Sequence, residues 1–163
     1  MGRGPEAASM ELVEAALAAG GEGVCEDLVR RLGDKDKGVV ERAARTLKKI
    51  AERDGARLFG WRKKLLQAAL GAVDKRVQWN LTIVVGKLPL KGADKGLAVE
   101  LMYERLKDKS GLNRTMAMQG LVDLSEGNAG MRRRAMVVVR EFLENGTPAM
   151  KARARKVLGV RRS

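Results

Sequence analysis

The sequence predicts an all-α fold, an α-solenoid of about four helix pairs with an N-terminal capping helix. Three observations predict it. Apolar residues return in register: Leu47, Val85, Leu121 and Leu158 are 38, 36 and 37 residues apart, and Ala43, Leu81, Ala117 and Ala154 follow the same steps. A helix preceding each of these repeats in phase, through Leu28, Leu66, Met102 and Val139 and again through Leu32, Leu70, Leu106 and Leu143. Aromatic residues are only 3% of the 163 residues while hydrophobic residues are 45%, so the core must be built from Leu, Val, Ala and Met, which suits stacked helices better than sheets. Each pair is too small to bury its own stripe, so stability has to come from stacking on neighbours.

The chain opens on Gly2-Arg-Gly-Pro-Glu, a frayed start. Ser9 is expected to cap a helix over about 8–19, with Leu12, Val13, Ala16 and Leu17 on its apolar side and Gly20-Gly21 as its stop. Repeats follow at about 22–52, 55–89, 92–126 and 128–162. Their outer helices are read at 23–32, 56–72, 93–107 and 128–144, and their inner helices at 37–52, 75–88, 110–125 and 147–161. The first inner helix shows the pattern: a polar turn at Asp34, then Val40, Ala43, Leu47 and Ile50 on a 3.6-residue period. Gly33, Gly55, Gly92, Gly127 and Gly146 fall at the joints, where a helix can end in the left-handed conformation. Pro89 stands just past a helix end and Pro148 opens a helix after Thr147. No run between elements is long enough for a linker, so 1–163 is expected to be a single domain.

The turns Asp34-Lys-Asp-Lys, Asp74-Lys-Arg and Asp108-Lys-Ser each precede an inner helix starting near Val39, Val77 and Leu112. In these turns and in repeat length the chain resembles the HEAT-like repeat family over about 22–160. The resemblance implies a right-handed curved stack whose concave surface, lined by the inner helices, binds other macromolecules. That family usually places Arg or Lys directly after the Val, to pair with the Asp of a neighbouring turn. Here Val40 and Gln78 stand in that place, so apolar packing has to do more.

Charge bears on partners. The net charge is +13, yet the first 33 residues hold three basic against six acidic side chains, so everything after them carries +16. That surplus favours an acidic partner, or else it is the solvated surface of a heat-adapted protein. The single Cys25 cannot form an internal disulfide, and no signal peptide, membrane span or myristoylation signal is present, so a soluble cytoplasmic protein is expected.

The same inventory speaks against catalysis. There is no His, one Cys cannot make a thiolate zinc site, and Gly20-Gly-Glu-Gly-Val lacks the Lys-Ser/Thr of a phosphate loop. The few aromatics, Phe59, Trp61, Trp79, Tyr103 and Phe142, are too scattered to line a base-excising cleft. The expectation is a non-enzymatic scaffold with no cofactor and no metal.

A binding patch is expected on the inner helices, opposite their core stripe. In the second, Val77, Leu81, Val84 and Leu88 form the stripe, and at 100° per residue Trp79 lies on the other side with Ile83 one turn on. Equivalent positions add Met118 and Val122, flanked by Arg45, Lys48 and Lys49 on one side and Arg155 and Lys156 on the other. An apolar patch with a basic rim suits a groove, and the alternative is that Trp79 folds over a neighbouring helix. Further basic contacts are expected from Arg132, Arg133 and Arg134 at a helix start and from Lys151, Arg153, Arg161 and Arg162 near the chain end. The preferred partner is nucleic acid or a ribonucleoprotein, held through phosphates. The alternative is an acidic or amphipathic protein segment seated in the groove.

Overall fold

The computed structural model of the protein describes residues 5–159, with side chains from Ser9 onward. Its described residues form nine α-helices: α1 (Pro5–Leu17), α2 (Glu22–Arg31), α3 (Lys37–Asp54), α4 (Arg62–Gly71), α5 (Lys75–Lys87), α6 (Gly92–Arg105), α7 (Gly111–Leu124), α8 (Ala129–Asn145) and α9 (Pro148–Leu158). The all-helical class expected from the repeat is the one found, in helix pairs joined by short turns.

Local chemistry sets the helix starts. The side chains of Asp36, Asp74, Ser110, Asn128 and Thr147 accept backbone N–H groups in the first turns of α3, α5, α7, α8 and α9, satisfying donors that have no partner within the helix. Two turns repeat in detail: Asp34 Oδ1 accepts from Asp36 N at 2.8 Å, and Asp108 Oδ1 accepts from Ser110 N at 2.7 Å. The position after Val77 also has a task. Gln78 Nε2 donates to the Ala72 carbonyl at 2.7 Å, and Arg114, 36 residues on, donates from Nη1 to the Asp108 carbonyl at 2.7 Å. Both side chains tie an inner helix to a backbone carbonyl of its own turn, a different bond from the pair with the Asp of a neighbouring turn that the family pattern would make at Gln78.

The chain packs as two compact units, 1–90 and 91–163. In the first, α3 packs on α1, α2 and α5, while α4 packs on α5. In the second, α7 packs on α6, α8 and α9. The register columns explain this packing. Leu28, Leu66, Met102 and Val139 are all buried, as are Ala43, Leu81, Ala117 and Ala154, and so are Leu47, Val85 and Leu121, while Leu158, the last of that column, is half-buried. Burying each such Leu or Val contributes about 1.5–3 kcal/mol.

Four details differ from the sequence expectation. The column Leu32, Leu70, Leu106 and Leu143 is in phase but not in the core: none is buried and Leu70 is 51% exposed. These residues sit at or next to the ends of the outer helices, where packing partners run out. Ser9 is not a cap, because α1 starts at Pro5, a residue suited to a first turn. Its hydroxyl is buried and lies 3.0 Å from Thr46 Oγ1 of α3. The helix expected over 56–72 opens as a 3-10 segment, Gly55–Trp61, before α4. There the backbone passes so near the end of α5 that a Cβ on Gly55 would overlap the Lys87 carbonyl oxygen. Of the five joint glycines, Gly92 and Gly127 adopt positive φ and Gly33, Gly55 and Gly146 do not.

Candidate functional site

Stacking of α3 on α5 decides the surroundings of Trp79. Lys48 Nζ of α3 lies 5.0 Å from the centroid of the indole on α5, within cation–π range, and 3.7 Å from Glu52 Oε1. Trp79 is half-buried, and its Nε1–H is buried without an acceptor. Ile83 is half-buried one turn on. The expectation of an open apolar patch at Trp79 with Lys48 on its rim is therefore corrected: Lys48 lies over the ring. The helix spacing was sufficient to place both residues on one side, but not to show that a lysine from the next helix reaches the indole.

Arg45 lies half-buried beside a cavity of about 230 Å³ between α1, α2 and α3. Arg42, one turn earlier on α3, lines the same cavity and was not among the expected contacts. A signal for it existed: Arg42 and Arg45 are three residues apart, and so share a helix face. Lys49 is half-buried and already engaged in interactions of its own.

In the second unit Met118 is 0% exposed and Val122 is 9% exposed. As buried side chains they present no free surface, which corrects their place in the expected patch. Their helix, α7, buries residues on several sides, including Thr115, Met116, Ala117 and Leu121, so a one-sided stripe was the wrong template for it. The basic residues fare differently. Arg132, Arg133 and Arg134 are exposed in the opening turns of α8, just after the Asn128 cap. On α9, Lys151, Arg153 and Arg155 are half-buried and Lys156 is exposed. Arg161 and Arg162 lie outside the described residues.

Two titratable groups depart from their ordinary values. Burial pushes the Cys25 thiol up, with smaller opposing and reinforcing effects from Arg57 and Glu22, and its Sγ faces the Ala16 carbonyl oxygen at 4.0 Å. A buried, neutral thiol of this kind is a packing group and a poor nucleophile. The hydrogen bond from Arg30, reinforced by Arg31, holds the Asp27 carboxyl below the usual carboxylate range. Among the described residues no group of three His, Cys, Asp or Glu could hold a metal ion, and no helix is long and apolar enough to cross a membrane.

Comparison with protein families and with curated proteins returns no match. Solved structures do match. A chain from the complex of CpcE and CpcF of phycocyanin lyase from Nostoc sp. PCC7120 is similar with a TM-score of 0.68 at 22% identity, covering 94% of this chain and 88% of that one. The crystal structure of an engineered protein is similar with a TM-score of 0.66 at 19% identity, covering 97% of this chain and 74% of that one. At these identities the likeness is one of fold, and it places the helix pairs in the α-solenoid class.

The comparison also corrects one expectation. The inventory of residues was read as excluding an enzyme, yet a similar fold is found in a phycocyanin lyase complex. Lack of His and of a metal cluster is therefore not a ground for ruling out catalysis in such a fold.

Proposed function

We propose that the chain is a protein-binding helical scaffold serving as one subunit of a lyase-type assembly, with HEAT-like pairs that form one working domain over 1–163. The observation that carries the reading is on α8. Arg132, Arg133 and Arg134 are exposed, none forms an ion pair with a described residue, and Val137, three residues beyond Arg134, is 62% exposed. Residues three and four apart share a helix face, so cations and an apolar side chain are offered together. Positive charge in the first turns of a helix opposes the macrodipole, a cost that a docked carboxylate relieves. A partner with acidic residues around an apolar anchor matches this surface.

The complex of CpcE and CpcF supports the reading, because there a chain of similar fold assembles with a second protein. The half-buried Lys151, Arg153 and Arg155 and the exposed Lys156 add to the basic field from α9. Phosphate binding would draw on the same arginines, but no comparison speaks for nucleic acid, and the protein partner is the better supported choice. Affinity purification of the tagged chain with and without nuclease tests the proposal. A protein partner that stays bound after nuclease treatment is expected. Loss of all bound protein with the nucleic acid would overturn it.

A further inference from the structure

The cavity between α1, α2 and α3 has a chemistry of its own, independent of the α8 surface. Leu12, Leu28, Val39 and Ala43 form its apolar lining. Ser9 and Thr46 add hydroxyls, but these serve the fold. Thr46 Oγ1 donates to the Arg42 carbonyl at 2.8 Å, so the 3.0 Å contact between the hydroxyls is a donation from Ser9 to Thr46. Cations then decide what the cavity accepts. Arg31 is held by Asp27 at 2.8 Å. Arg42 and Arg45 form no ion pair with a described residue, and Glu41, the acid four residues before Arg45, lies 3.4 Å from Arg76 instead. Among the described residues no carboxylate lines the cavity. A Cβ on Gly38 would stand 3.1 Å from both Arg42 Nη1 and Asp36 Oδ1, so the carboxylate that caps α3 lies on the Gly38 side of Arg42 without pairing with it.

We propose that this cavity is a binding site for a monocarboxylate with a short apolar tail. The tail packs against Leu12, Leu28 and Val39, and the carboxylate meets the guanidinium groups of Arg42 and Arg45, which offer charge-assisted hydrogen bonds that no described residue uses. The volume of about 230 Å³ suits a ligand of a few carbons and excludes a long acyl chain. Such a group arrives either as a free short-chain acid or as the C-terminal residue of another protein with an aliphatic side chain.

Calorimetric titration of the full chain tests this, with hexanoate, butanoate, hexylammonium, and the peptide Gly-Gly-Leu with a free or an amidated C-terminus. Hexanoate or the free-acid peptide is expected to bind, with hexanoate favoured over butanoate by about fourfold per CH₂ group. Hexylammonium and the amidated peptide are expected not to bind. Arg42→Gln and Arg45→Gln should each weaken binding about tenfold, while Lys64→Gln, at an exposed position of α4, leaves it unchanged. Circular dichroism confirms that each variant is folded, and both arginines lie outside the core. Binding of hexanoate alone upholds the site for a free acid, and binding of the peptide alone upholds it for a chain terminus. No binding by either, equal binding of hexylammonium, or indifference to both arginine substitutions overturns the proposal.

Discussion

Gly55 shows how a single residue can be flagged correctly for the wrong reason. Its place at a joint predicted a left-handed helix end, but φ there is ordinary, and what requires glycine is the Lys87 carbonyl packed against it. That contact joins residues 32 positions apart, and no local pattern encodes it. Gly55→Ala should therefore destabilise the protein by about 3 kcal/mol, the upper range for forcing atoms into packed space. Gly60→Ala, in the same 3-10 segment with nothing near its missing Cβ, should change stability by no more than about 0.5 kcal/mol. Chemical denaturation of both variants measures the difference. Cys25 is 0% exposed, with its thiol pushed up by burial. Thiol labelling at neutral pH should stay slow in the folded protein and become fast in denaturant. Rapid labelling of the native chain would contradict the packing described around α2.

At the scale of the helix, the register columns were legible because a buried stripe must recur at the helical period whatever lies opposite it. What the stripe could not supply was its limit along the axis, which is why Leu70 looked equivalent to the buried Leu66 and is 51% exposed. Nor could it supply the far side of an inner helix, where Met118 is buried and Trp79 meets Lys48. Polar pairs between helices are similarly silent in sequence. Ser9 and Thr46 join α1 to α3, and Thr46→Val should cost about 1–3 kcal/mol by leaving the Ser9 hydroxyl buried without its acceptor. The double variant with Ser9→Ala should be less damaging than the two single losses added together, which a double-mutant cycle reads directly. Asp27 ties the last turn of α2 to Arg30 and Arg31, and its folded pKa is depressed. Its contribution is therefore present above the ordinary carboxylate value of 3.8 and is lost as pH falls through the lower folded value. The stability gap between the wild type and Asp27→Asn should be constant above about pH 5 and close in acid.

For the whole molecule, fold class and charge were open to reading while the kind of function was not. The repeat period requires stacked helix pairs, and similarity to a chain of the phycocyanin lyase complex agrees with it. Catalysis was judged from residue types along one chain, a test that fails wherever an activity belongs to an assembly. The surplus of +16 after the first 33 residues fits an acidic partner or a solvated surface, and it does not distinguish phosphates from carboxylates, since both would draw on the same arginines. The proposed partner, carboxylates carried with an apolar anchor, rests on the three arginines, which pair with no described residue, beside the exposed Val137. The decisive measurement is the affinity of the partner retained after nuclease treatment for the wild type and for a chain carrying Arg132→Glu, Arg133→Glu and Arg134→Glu. The account predicts at least about a hundredfold loss in the variant, since each reversed charge faces a carboxylate at close range. Equal affinity of the two chains for that partner would contradict it.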